Sequence, residues 1–150
     1  MASAFEQAVD GLRPIYADWA RGEFGRRPGV YHAGGLEWGF SDEFPDAGTE
    51  VDTSDRSERY AEWLSGWDEW RCYAQRYIDA GEQVVVFTRY TGRGRGSSVE
   101  VEREGAHIWT FRDGAAVRLV IFSRRERALA EVGIDPADAS SRAALPQGPG

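Results

Sequence analysis

The stretch from Tyr73 to Ser123 restricts what this chain can become more than any other part of it. Short apolar blocks and alternating apolar and polar residues predict antiparallel strands over about 73–79, 82–92, 97–112 and 115–123. Asp113-Gly114 marks a tight hairpin between the last two, because such a dipeptide accepts positive φ angles. Val84 to Phe87 is unbroken apolar sequence, which suits a central strand covered on both faces. On the strand before the hairpin, His107, Trp109 and Phe111 share one face. A histidine in such a row is a candidate proton carrier, since imidazole titrates near neutral pH. The competing reading is a buried histidine satisfied by hydrogen bonds.

Helices must cover this meander. Ser3 to about Arg21 has an apolar stripe (Phe5, Ala8, Val9, Leu12, Ile15, Tyr16, Trp19) and a Ser3/Glu6 capping signal; Pro14 could kink it, and Gly22 fits its end. Residues 23–34 carry too many breakers for a long helix, and a turn or loop leading to Tyr31 and His32 is expected. Leu36 to Phe40 reads as a short strand, and Ser41 to Ser54 as a long acidic loop. A second helix is expected from Asp55, with Tyr60, Trp63, Leu64, Trp67 and Trp70 or Arg71 along one stripe. A short helix over Glu126 to Val132 ends at Gly133. From Asp135 the Ala/Ser/Pro/Gly-rich sequence predicts a disordered tail, leaving one domain over 1–134 and a tail over 135–150. The class is α+β, with helices on one side of a strongly curved sheet.

Composition narrows the functions. A net charge of -7 argues against generic binding to nucleic-acid phosphates or anionic membranes. Cys72 is the only cysteine, so an intrachain disulfide or a cysteine-rich metal site is excluded. Neither a signal peptide nor a membrane-spanning segment is visible, and a cytoplasmic protein is expected. The run Gly92-Arg93-Gly94-Arg95-Gly96 leads into a strand, where a phosphate cradle would open a helix. Its two arginines are the sole hint of RNA binding, and Glu100, Glu102 and Glu104 oppose it. Those glutamates fit a solvated strand face, although carboxylates at this spacing could also bind metal or act as acid and base. Asp42, Glu43 and Asp46 could bring a carboxylate to a pocket mouth. Six tryptophans suit an apolar pocket, a broad interface or plain core packing.

The ordered set Trp19-Ala20-Arg21-Gly22-Glu23-Phe24, Leu36-Glu37-Trp38, Pro45-Asp46-Ala47-Gly48, Phe111-Arg112-Asp113-Gly114 with Val117-Arg118, and Arg127-Ala128-Leu129 ending in Gly133 resembles the SnoaL-like family of the nuclear-transport-factor-2-like superfamily. The likeness runs from about residue 4 to 133, and Thr49 to Arg59 departs from it. It implies a cone: a curved antiparallel or mixed sheet wrapped on helices around one pocket, in a protein that is commonly a homodimer. Against ketosteroid isomerases, His107 stands at the place of the acidic oxyanion donor and Trp38 near that of the base. Ile15 falls near the tyrosine donor, with Tyr16 adjacent. Against limonene-epoxide-hydrolase-like members, Arg89 matches an arginine, but Thr91 and Ile121 stand where two aspartates are needed. Neither specific chemistry is implied.

The expectation is therefore a protein that binds a small apolar molecule, polyketide- or steroid-like. It would act as an isomerase, cyclase or lyase with no cofactor and no metal. The alternative is a non-catalytic binding protein or dimeric scaffold of the same fold. His107 is the expected catalytic residue. Trp38, Trp63, Trp109, Tyr16 and Ser123 are the expected ligand-binding residues.

Overall fold

A computed structural model describes residues 3–24, 35–45, 47–52, 62 and 64–144. Helix α1 (Ala4–Ala20) begins where Ser3 accepts a hydrogen bond from the Glu6 amide at 3.1 Å. It ends at Arg21, followed by Gly22 with positive φ. Pro14 lies inside the helix without ending it. The strands are β1 (Leu36–Phe40), β2 (Gly48–Asp52), β3 (Trp67–Ala80), β4 (Gln83–Gly94), β5 (Glu100–Arg112) and β6 (Ala115–Phe122). Helix α2 (Arg125–Glu131), a single turn α3 (Pro136–Ala139), a 3-10 turn (Ser140–Arg142) and the two-residue strand β7 (Ala143–Ala144) complete the chain to residue 144.

All seven strands form one curved sheet in the order β2-β1-β6-β5-β4-β3-β7. Every pairing is antiparallel except β1 with β6. The hairpin between β5 and β6 turns on Asp113 and Gly114, at φ 52° and 81°. Register irregularities at Ala74/Arg76 and Thr110/Phe111 bend the long strands, as an extra unpaired residue does.

Strand alternation sorts the core into two layers. The inner face presents Tyr77, Val84, Val86, Trp109, Leu119 and Trp38 to the α1 stripe of Val9, Leu12, Ile15 and Tyr16. The outer face presents Ile78, Val85, Ile108 and Phe122 to Ala128, Leu129, Ile134 and Ala139. The unbroken apolar run at Val84–Val86 follows from this position, since both its faces are covered. Arg125 fixes α2 to the outer face. Its guanidinium donates to the carbonyls of Thr88 (2.9 Å) and Gly105 (3.2 Å), pairs with Glu104 and lies over the Phe87 ring.

Three expectations are corrected. The second helix does not reach Trp67 and Trp70. Glu62 and Leu64 are helical, Ser65 and Gly66 turn, and both tryptophans stand in β3. A helical spacing of aromatics continued by chance across a Ser-Gly break. The acidic loop contains β2, because Thr49 and Val51 supply β-branched alternation that its charge concealed. The segment from Asp135 is ordered through Ala144. Asp135 caps α3 by accepting from the Ala137 amide at 2.8 Å, Ala139 is buried, and β7 pairs with the edge of β3. Residues 145–150 lie outside the described residues, as do His32, Asp46 and most of the expected second helix.

Candidate functional site

His107 lies on the inner face of β5, opposite Val86 of β4 and Ile121 of β6. It is 2% exposed. Both ring nitrogens are engaged: Nδ1 with the Tyr16 hydroxyl at 2.6 Å and Nε2 with the Tyr90 hydroxyl at 2.5 Å. The Trp109 indole N–H donates to the Tyr16 hydroxyl at 2.8 Å. Cys72 is the direct cross-strand partner of Tyr90 between β3 and β4, and it is buried on the same inner face. Four side chains from one helix and two strands thus form a continuous hydrogen-bonded chain.

The local sequence explains why these groups meet. On α1, Tyr16 points inward with Leu12 and Ile15, so its hydroxyl reaches across to β5. Trp109 follows His107 by two residues and shares its face. Tyr90 is the unexpected member, since it pairs in register with Arg103, four residues from His107. Its ring reaches back along the sheet over Gly105. A methyl group at Gly105 would stand 3.2 Å from Tyr90 Cε2 and 2.9 Å from the Phe122 carbonyl oxygen. The glycine leaves the track that Tyr90 uses.

The direction of the chain follows from donor arithmetic. Indole N–H only donates, so the Tyr16 oxygen accepts from Trp109. The single Tyr16 proton then has one acceptor among the described residues, Nδ1 of His107. With Nδ1 accepting, the neutral ring carries its proton on Nε2 and donates it to Tyr90. The opposite tautomer would strand the buried Tyr16 proton, at a cost of about 1–3 kcal/mol.

Burial keeps the chain neutral. Desolvation lowers the His107 pKa to about 3, so the ring is uncharged at neutral pH. Burial pushes the Tyr16 hydroxyl well above its ordinary value, partly offset by the Trp109 hydrogen bond. Burial also raises the Cys72 thiol, against the Tyr90 hydrogen bond. The Cys72 thiol is therefore a weak hydrogen-bond acceptor rather than a reactive thiolate.

Aromatic rings surround these polar atoms. Trp19 contacts His107 edge-on at 5.8 Å and stacks with Trp109 at 6.1 Å and Phe24 at 5.9 Å. Trp70 stacks on Tyr90 at 5.2 Å. Phe24, Phe40, Phe44 and Tyr90 are only partly buried where they adjoin the inner core.

Of the residues expected to form a site, the structure brings Tyr16, His107 and Trp109 into direct contact. Trp38 belongs to the same inner core but lies two strands away, against Leu119 and beside Phe40. Ser123 is exposed, and its amide donates to Glu43 at 3.0 Å. Trp63 lies outside the described residues. Arg89 points to the outer face, pairing with Glu102 at 2.9 Å and covering the Tyr73 ring. Asp42 pairs with Arg127, and Glu43 accepts from Ser41 and Ser123 through Oε1, while its buried Oε2 has no hydrogen-bond partner among the described residues. Tyr90 and Cys72 were not foreseen. Their signal was a tyrosine on the inner face of β4 facing a glycine gap in β5.

No family model and no curated protein matches the chain. Solved structures do. An NTF2-like protein from Burkholderia thailandensis superposes with a TM-score of 0.62 at 22% identity, over 90% of this chain and 100% of that one. The chain has the nuclear-transport-factor-2-like fold. Within that fold it is similar to a candidate SnoaL-like polyketide cyclase from Jannaschia sp. (TM-score 0.61, 14% identity, 91% and 98% coverage). It is also similar to TerC co-crystallised with polyporic acid (0.60, 20%, 84% and 97%). The cone expected from the sequence is thus the observed architecture. Among the described residues, no helix is long and apolar enough to cross a membrane.

Proposed function

We propose that the inner face of the cone binds a small apolar molecule, polyketide- or steroid-like, and that the protein acts on it as a cofactor-independent isomerase, cyclase or lyase. The observation that carries this reading is His107 itself: a buried, neutral imidazole with both nitrogens bonded to tyrosine hydroxyls, set among aromatic rings. Buried polar groups of this kind are costly unless fully paired, and a plain core needs none. A neutral, fully paired chain can polarise a group at its end without placing a bare charge in the core. In a dry aromatic site, such a chain suits proton transfer next to a carbonyl or hydroxyl group. Trp38, Trp63, Trp109, Tyr16 and Ser123 would shape the ligand site. The working unit would be a homodimer in the cytoplasm, with neither nucleic acid nor membrane as partner. Similarly folded proteins crystallised with polyporic acid and with trimethylamine support small-molecule binding as the general role.

A second reading is favoured by one feature. Both His107 nitrogens are already occupied, which also suits a polar anchor in a binding protein without turnover. The test is incubation of the protein with flat unsaturated ketones in deuterated water, followed by mass spectrometry. Deuterium uptake beside the carbonyl, abolished in His107→Ala, is the expected result. Ligands that bind and return unlabelled would overturn the enzyme reading and leave the binding one.

A further inference from the structure

Trp109, Tyr16 and His107 are all 3% exposed or less, so a molecule that meets them must pass a part of the chain that moves. Segment 41–44, between β1 and β2, bears on this. The Ser41 amide donates to the Ile121 carbonyl at 2.9 Å, and Ile121 stands directly across from His107 on β6. The Ser123 amide and the Ser41 hydroxyl both donate to Oε1 of Glu43, at 3.0 and 2.8 Å. Asp42 adds a water-exposed ion pair with Arg127 of α2. Phe44 turns back toward Ser41, lies 5.1 Å from the Phe40 ring and packs on the inner core.

One oxygen does not fit a permanently closed segment. Oε2 of Glu43 is buried and has no hydrogen-bond partner among the described residues. Water hydrates a carboxylate oxygen strongly, and burying one unpaired forfeits that hydration. Swinging outward would return Oε2 to water, at the loss of the two bonds on Oε1 and the burial of Phe44. This narrows the gap between closed and open arrangements. The roots of the loop are fixed: Gly39 leaves no room for a side chain against the Gly48 carbonyl oxygen, where β1 and β2 pair. Movement is therefore confined to the residues beyond that pair.

We propose that segment 41–44 is a latched gate to the inner face, with Glu43 as its latch and Phe44 as its cover, and that ligands enter when it swings away from β6. The inference rests on the reading of the inner face as a ligand site and adds the route into it. Opening of this kind governs access and release without taking part in the chemistry.

The experiment is native-state hydrogen exchange by NMR on the full chain. The amides of Ser41, Phe44 and Ser123 report the latch, and the ladder amides of β5 and β6 report the sheet behind it. The three latch amides should share one protection factor, roughly tenfold or more below that of the ladder, as a unit that opens by itself does. Ser41→Ala removes one of the two donors to Oε1. It should lower all three together by a further factor of roughly five to ten, the worth of one hydrogen bond, and leave the ladder unchanged. The His107 ring N–H should exchange faster by the same factor, because the gate stands between it and solvent. Phe44→Ala should also speed the ring proton. Latch amides that exchange only together with the ladder would overturn the gate. So would a ring proton that ignores the faster latch of Ser41→Ala. The wild-type amide comparison decides the matter even if a variant fails to fold. A gate that opens as described, in a protein that neither binds nor labels flat ketones, would keep the gate and remove the ligand reading.

Discussion

Trp109 donates its indole proton to the Tyr16 hydroxyl at 2.8 Å, and this bond orients every hydrogen bond beyond it. An indole cannot accept in return, so the tautomer of His107 is decided two residues along strand β5 and across the core on α1. Removing Tyr16's hydroxyl should therefore disturb both neighbours. Tyr16→Phe leaves a buried Nδ1 and a buried indole N–H without this partner, and about 1–3 kcal/mol of stability should be lost. Combined with His107→Leu, the loss should fall short of the sum of the single losses. Urea denaturation of the four proteins measures this, and strict additivity would contradict a coupled chain.

Stability should depend on pH through His107. The unfolded ring titrates near 6.5 and the folded ring near 3. Below about pH 6.5 the unfolded chain takes up a proton that the folded chain refuses. Stability is thus full above that value and declines as pH falls toward 3, by up to about 1.4 kcal/mol per unit. Glu37 acts in the same sense at lower pH, since Thr49 and then Arg118 hold its carboxyl below the ordinary range. Urea midpoints between about pH 7 and 5 should drop for the wild type and stay nearly flat for His107→Leu, before carboxylates begin to titrate. Parallel slopes would assign the effect elsewhere.

Gly105 is expected to tolerate no side chain. Gly105→Ala places a methyl 2.9 Å from the Phe122 carbonyl and 3.2 Å from Tyr90 Cε2. A loss of about 1–3 kcal/mol is expected from crowding. The Tyr90–His107 bond should also lengthen, visible as a shift of the His107 ring resonances. A variant with native stability and unshifted resonances would show that Tyr90 does not need this track.

The segment 135–144 should contribute to the fold. A chain ended after Ile134 loses the burial of Ala139, the Arg76–Ser140 hydrogen bond and the β7 pairing with Tyr77 and Ile78. Faster hydrogen exchange along that edge of β3 is expected, with a fall in the thermal midpoint of several degrees. Unchanged exchange would restore the boundary at 134 that composition suggests.

Much of this molecule is legible in its sequence because local physics agrees with tertiary need. Ser3 caps α1, Asp113-Gly114 turns the hairpin, and Val84–Val86 sits where both faces are covered. Legibility fails where two patterns compete. Trp67 and Trp70 extend a helical spacing but belong to a strand, because Ser65-Gly66 ends the helix first. Thr49 and Val51 are strand residues hidden by acidic neighbours. Low-complexity sequence after Asp135 hides a cap, a buried alanine and an edge strand. In the site, His107, Trp109 and Tyr16 stand out as polar or indole groups on apolar faces. Tyr90 and Cys72 do not, because their role depends on a diagonal reach across Gly105 that only the strand register reveals.

The most direct measurement is the protonation of the His107 ring itself, by long-range proton–nitrogen NMR on the full chain, with His32 replaced to leave one histidine. A neutral ring carrying its proton on Nε2, unchanged from about pH 8 to about pH 5, is the expected result. A proton on Nδ1, or a titration near the ordinary histidine value, would contradict it.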